Sequence, residues 1–80
     1  MNLQLYYLDG CPYCRKVINF LESEHIAVIY RNIGTDAEAN RELLSIGGKN
    51  QVPCLFINGA PLYESDDIIA WFRANRDKIS

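Results

Sequence analysis

The sequence has little net charge, no long apolar run and only one histidine. Its 80 residues carry a formal net charge of -2, which offers no general attraction for nucleic acid or for an anionic lipid surface. No apolar stretch approaches the roughly 20 residues that a membrane-spanning helix needs. The N-terminal residues also lack the basic and long apolar regions of a signal peptide. We therefore expect a cytoplasmic protein that binds neither nucleic acid nor membrane.

The cysteines are few and odd in number, which does not suit a closed disulfide framework. Cys11 and Cys14 form a close pair, which in a reducing cytosol is more often catalytic or metal-binding than structural. A zinc site usually needs four ligands, and beyond the pair the chain offers only Cys54 and His25. A disulfide within the pair would close too small a loop to stabilise much. The sequence therefore predicts a redox pair and no metal site, with Cys54 as a buried thiol.

The order of the predicted strands and helices indicates one α/β domain over residues 1–80. Apolar periodicity and turn signals give the order β-α-β-α-β-β-α, in which a short parallel unit precedes a hairpin, with helices on both faces of the sheet. The predicted strands cover residues 3–8, 26–33, 52–59 and 60–64, with a turn at Asn58-Gly59. The first two predicted helices run from Pro12 to about Glu24 and from Thr35 or Asp36 to about Ser45. The last predicted helix begins at Ser65, whose hydroxyl would cap it.

The Cys-Pro-Tyr-Cys motif falls where the first predicted strand passes into the first predicted helix. A thiol reacts as its thiolate, and a helix start favours negative charge through its free N–H groups and its dipole. Cys11 would then lie just before the helix as the more exposed and more reactive thiol, with Arg15 and Lys16 adding positive charge nearby. Cys14, in the first turn, would attack a mixed disulfide formed on Cys11 and release the product thiol.

At these positions the chain resembles the dithiol glutaredoxins. The Cys11–Cys14 segment looks like the active-site motif of the family, and Val52-Pro53 looks like its Thr-Val-Pro segment, whose proline is cis. The Ser65–Asp67 segment looks like the polar stretch that opens the last helix. The C-terminal half is also similar to the N-terminal domain of glutathione transferases, where Glu64-Ser65 would match a Glu-Ser pair. Those transferases need a second, helical domain.

The resemblance implies the thioredoxin fold, with a four-stranded mixed sheet. It also implies a monomeric thiol–disulfide oxidoreductase without a bound cofactor, with glutathione as cosubstrate and with disulfide-containing proteins and glutathione mixed disulfides as substrates. Cys11 would be the nucleophile and Cys14 the resolving thiol. The residues implied to contact glutathione are Tyr13, Gln51, Val52, Pro53, Ser65, Asp66 and Asp67.

Departures from the family pattern leave the source of electrons open. Leu8 stands where many glutaredoxins have a lysine, and Gln51 stands where threonine is usual; Lys49 and Arg41 are candidate replacements for the lysine. Three other hypotheses stand beside the glutathione-dependent one, and Leu8 and Gln51 motivate the first of them. The chain could be a small redoxin fed by thioredoxin reductase that serves ribonucleotide reductase, a transferase-like glutathione-binding domain, or an iron–sulfur carrier. The rigid Pro12 argues against the carrier, because relatives of that kind usually have a smaller residue there.

Overall fold

A four-stranded mixed sheet forms the centre of the computed structural model, which describes residues 1–79. The strands are β1 (Leu3–Tyr7), β2 (Ile29–Asn32), β3 (Cys54–Ile57) and β4 (Ala60–Tyr63). Their order across the sheet is β2-β1-β3-β4, and only the β1–β2 pairing is parallel. The helices are α1 (Pro12–Ser23), α2 (Ala37–Glu42) with a following π turn (Leu43–Gly47), α3 (Ser65–Ala74) and α4 (Arg76–Ile79). Within residues 1–79, every helix is too short or too polar to cross a lipid bilayer.

The two central strands, β1 and β3, bury residues on both faces of the sheet. Leu5 and Leu55 are fully buried in a cluster with side chains of α1 and α3. The next residues, Tyr6 and Phe56, belong to a second cluster with α2 and the π turn, and their ring centroids lie 4.5 Å apart. Because successive strand residues point to opposite faces, helices cover the sheet on both sides. This confirms the predicted α/β arrangement.

Local signals place several helix starts and turns correctly. Pro12 is the first residue of α1, where its missing N–H costs nothing. Asp36 caps α2 by accepting hydrogen bonds at Oδ1 from the N–H groups of Glu38 at 3.0 Å and Ala39 at 3.2 Å. The β3–β4 turn lies at the predicted pair, whose residues both have positive φ.

All four strands are shorter than the sequence predicts, and β2 and β3 differ most from their predicted ranges. The strand predicted over 26–33 forms only at Ile29–Asn32, which pairs with residues 4–7 of β1. Ile26 instead donates its N–H to the carbonyl of Leu21 at 2.9 Å, which closes the end of α1. Pairing of β3 begins at Cys54 rather than at residue 52, since Pro53 has no N–H to donate to a ladder.

The predicted cap of the last helix was wrong by one residue. Glu64 occupies the capping position of α3 with φ 72° and ψ 123°, and it makes no capping hydrogen bond through its side chain. Ser65 is the first helical residue and is 7% exposed. Asp66 and Asp67 lie in the first turn, where acidic side chains suit the positive end of the helix dipole.

Leu5→Ala is expected to lower the free energy of unfolding by about 2–5 kcal/mol, because it leaves a cavity in the fully buried centre of the sheet. Urea unfolding of the reduced protein measures the loss. Leu44→Ala is the matched control: Leu44 is 53% exposed, so its loss should stay below about 1 kcal/mol. Equal losses in the two variants would contradict the position of Leu5 in the core.

Candidate active site

Cys11 is the capping residue of α1, and its sulfur faces the start of the helix. The N–H of Cys14 donates a hydrogen bond to the Cys11 Sγ at 3.3 Å. This N–H belongs to the first turn, where the helix itself supplies no acceptor. Cys11 is half-buried, whereas Cys14 is fully buried. The structure therefore places Cys11 before the helix and more accessible, and Cys14 in the first turn and enclosed, as the sequence predicts.

The enclosure of Cys14 determines its protonation. Burial is the largest effect and raises the pKa of the Cys14 thiol to about 12. The hydrogen bond and the charge of Cys11 raise this pKa further, and the backbone of Leu8 opposes the rise. Since the thiolate is the nucleophile, Cys14 is a poor nucleophile at neutral pH while Cys11 is reduced.

The cations that follow the motif have other partners. The Lys16 ammonium forms an ion pair with the carboxylate of Asp66, which connects α1 to the first turn of α3. The Arg15 guanidinium donates to Asn19 Oδ1 at 3.4 Å. The pair of Lys16 and Asp66 is well exposed and therefore contributes little to stability. The group in direct contact with the Cys11 sulfur is thus the first turn of α1 rather than a cation.

A cavity of about 630 Å³ lies next to the motif. Its wall consists of Tyr13 from α1, the Gln51–Pro53 segment before β3, and the Glu64–Asp67 segment at the start of α3. Cys11 itself does not line it. The cavity brings together every residue that the resemblance assigns to glutathione contact: Tyr13, Gln51, Val52, Pro53, Ser65, Asp66 and Asp67. Glu64, noted in the sequence only for its match to a transferase pair, is a further lining residue.

The Gln51–Pro53 part of this wall has a backbone without backbone hydrogen-bond partners in the described chain. The Val52–Pro53 peptide bond is cis, as the resemblance implies. The side-chain amide of Gln51 donates to Glu64 Oε1 at 2.9 Å, which connects this segment to the start of α3. Within residues 1–79, the backbone of Val52 makes no backbone hydrogen bond. Its N–H and carbonyl are therefore available to an extended ligand.

Neither candidate replacement for the family lysine lines the cavity. The Lys49 ammonium lies over the ring of Tyr63, 4.7 Å from the ring centroid. Arg41 lines a separate cavity on α2. Among residues 1–79, the cavity wall contains carboxylates but no lysine or arginine. Lys49 and Arg41 are therefore not placed in the cavity wall as substitutes for the lysine that Leu8 replaces.

Cys54, the third cysteine, is fully buried directly after Pro53. Burial raises the pKa of its thiol to about 11, and a hydrogen bond with the Tyr63 hydroxyl partly opposes that rise. This confirms the prediction of a buried thiol.

Comparisons with known proteins agree with this geometry. The family model described as glutaredoxin matches residues 3–61. An uncharacterized glutaredoxin-like 8.6 kDa protein in the rubredoxin operon of Clostridium pasteurianum is 26% identical over 77 residues, covering 96% of this chain and 95% of that protein. Glutaredoxin 1 of Rickettsia prowazekii is 32% identical over 80 residues, covering 94% of this chain and 82% of that protein.

The solved structure of glutathione transferase Omega 3C from Trametes versicolor is similar over 100% of this chain and 36% of that one, with a TM-score of 0.81 and 26% identity. This confirms the likeness to a part of the glutathione transferases. The sheet order and the crossover helix are those of the predicted thioredoxin fold. Because the family model matches most of the chain and the chain covers most of these relatives, the chain belongs to the glutaredoxin family of thiol–disulfide oxidoreductases.

Proposed function

We propose that the protein reduces protein disulfides and glutathione mixed disulfides through Cys11 and Cys14, with glutathione as its cosubstrate. The observation that carries this proposal is the Cys11 sulfur at the start of α1, close to a cavity lined by the residues expected to contact glutathione. A monomeric state and a cytoplasmic location remain predictions. The proposal divides into the chemistry of the two thiols and the binding of glutathione.

The reaction is an exchange of disulfide bonds. The Cys11 thiolate attacks one sulfur of the substrate disulfide; a bond to Cys11 forms, and the other sulfur leaves as a thiol after taking a proton. The Cys14 sulfur then attacks Cys11, closes the Cys11–Cys14 disulfide and releases the second thiol. Two glutathione thiols reopen this disulfide in turn, and oxidised glutathione leaves. Two electrons thus pass from glutathione to the substrate.

The pKa of Cys14 supports this order of events. Among the causes that raise the pKa of Cys14 are the hydrogen bond and the charge of Cys11. Both contributions change once Cys11 is part of a mixed disulfide, because its sulfur then carries no proton and no charge. The pKa of Cys14 should fall at that step, so that Cys14 becomes a better nucleophile when resolution is required.

The cavity wall supplies groups suited to glutathione. The unpaired backbone of Val52 would bind the cysteinyl part in the manner of a short added strand. The γ-glutamyl end carries an ammonium and a carboxylate. The carboxylates of Asp66 and Asp67 would bind the ammonium, and the N–H groups at the start of α3 and the Ser65 hydroxyl would bind the carboxylate. Tyr13 would flank the molecule.

A second candidate function rests on the lack of a lysine or arginine in the described wall of the cavity. Glutathione carries two carboxylates, and a wall without cations holds it less well. We therefore keep as the alternative a small redoxin that receives electrons from thioredoxin reductase and passes them to a partner such as ribonucleotide reductase. The transferase-like alternative has less support, since this chain spans 36% of the transferase that it matches.

Cys11→Ser is expected to abolish reduction of a glutathione mixed disulfide, because the attacking sulfur is lost. Cys14→Ser should retain that reaction, which needs one thiol, but should lose reduction of a protein disulfide by the two-thiol route. NADPH consumption coupled to glutathione and glutathione reductase measures both. Cys54→Ser is the matched control and should keep both activities.

Full activity of Cys11→Ser would refute the assigned roles. The same assay with thioredoxin reductase in place of glutathione and glutathione reductase separates the two candidate functions. Turnover only with thioredoxin reductase would reject the glutathione-dependent function in favour of the second candidate.

Alkylation at pH 8 should modify only Cys11 of the reduced protein at an appreciable rate. Cys14 and Cys54 are fully buried, and their raised pKa values of about 12 and about 11 leave less than about one thiol in a thousand ionised at that pH. Brief treatment with iodoacetamide followed by peptide mass spectrometry measures the sites. Comparable modification of Cys14 would contradict the enclosed position of that thiol.

A further inference from the structure

The segment Lys49–Pro53, called here the wall segment, carries several lining residues of the cavity but belongs to no helix or strand. Within residues 1–79, its backbone makes no hydrogen bond to other backbone groups. It has two side-chain connections to the end of β4 and the residue after it. The Tyr63 hydroxyl donates to the carbonyl of Lys49 at 3.0 Å, and Gln51 donates to Glu64. Side chains, rather than a backbone ladder, therefore determine where this wall lies.

Tyr63 is placed to hold the wall segment from both of its ends. It pairs with Cys54, the residue directly after the segment, in the β3–β4 ladder. Its hydroxyl reaches Lys49, the first residue of the segment, and it also lowers the pKa of the Cys54 thiol. The Lys49 ammonium lies over the same ring, a favourable cation–π contact. One side chain thus connects β4 to both flanks of the residues that face the cavity.

Gly47 provides the room for this hydroxyl. A β-carbon added at Gly47 would lie 2.3 Å from the Tyr63 Oη and 3.4 Å from its Cζ. The first distance is a severe overlap, whereas the second is a tight contact that a small shift relieves. An alanine at this position would therefore displace the hydroxyl from Lys49 while leaving room for a ring without the oxygen.

We propose that Tyr63 is a positioning residue that holds the wall segment in the arrangement that accepts the sulfur substrate. A segment without backbone partners samples many conformations, and ordering it on binding reduces affinity. Because Tyr63 orders the segment beforehand, the loss of its hydroxyl should weaken substrate binding without altering the thiol chemistry. This catalytic consequence rests on the proposed function; the structural role does not.

Tyr63→Phe should raise the KM for a glutathione mixed disulfide of a cysteine-containing peptide about fivefold, the effect of losing one neutral hydrogen bond, with kcat unchanged. Tyr30→Phe is the matched control, because Tyr30 lines a different cavity and not this one, so the loss of its hydroxyl should not affect KM. An unchanged KM in Tyr63→Phe, or an equal fall of kcat in place of the rise in KM, would overturn the proposal.

A double-mutant cycle tests the contact with Gly47. Gly47→Ala alone should raise KM at least as much as Tyr63→Phe, because the added methyl group displaces the hydroxyl. The double variant should show no larger KM than Tyr63→Phe alone, since the hydroxyl that clashes is already absent. Additive effects of the two substitutions would show that they act separately and would overturn the shared mechanism.

The labelling rate of Cys54 tests the structural role without any enzyme assay. In a Cys11→Ser/Cys14→Ser background, adding Tyr63→Phe should speed alkylation of Cys54 severalfold, because the wall segment opens more often. The hydroxyl of Tyr63 lowers the pKa of Cys54, so its removal by itself would slow the reaction. Faster labelling, or labelling at an unchanged rate, therefore requires that the segment opens more often, whereas slower labelling would overturn the proposal. If the wild-type protein does not turn over glutathione mixed disulfides, the proposed function fails and this measurement still decides the role of Tyr63.

Discussion

The hydrogen bond from the Cys14 N–H to the Cys11 sulfur is the contact on which the rest of the site depends. It requires α1 to begin at Pro12, and it requires the chain leaving β1 to turn at Gly10, which has φ 82°. It also requires α1 to stay fixed on the sheet, which the fully buried Val17 and Leu21 ensure. The position of one sulfur atom thus follows from the packing of a whole face of the sheet.

The same helix start makes the two cysteines unequal. The capping position leaves Cys11 half-buried, and the first turn encloses Cys14, whose thiol has a strongly raised pKa because of burial. Cys11 is therefore the more accessible of the two sulfurs. In the proposed function this difference sets the order of reaction, because the enclosed Cys14 would act only on a disulfide already formed at Cys11.

Local features of the structure were predictable from the sequence, and long-range side-chain contacts were not. Pro12, Asp36 and the β3–β4 turn act on the backbone next to them. Their residue types were therefore enough to predict the helix starts and the turn. The grouping of the cavity residues came from the family resemblance rather than from composition or spacing. The pair of Lys16 with Asp66 and the contact of Tyr63 with Lys49 join residues far apart in sequence. They depend on how the elements pack, as does the positive φ of Glu64 that shifted the predicted cap.

The central claim is that the Cys11 sulfur accepts a hydrogen bond from the first turn of α1. Amide hydrogen exchange of Cys14, followed by NMR in the reduced protein, tests it most directly, because this N–H has no backbone acceptor in the helix. The Cys14 amide should be protected in the wild-type protein and should lose that protection in Cys11→Ala, while core amides of β1 keep theirs. Equal protection of the Cys14 amide in both proteins would contradict the account.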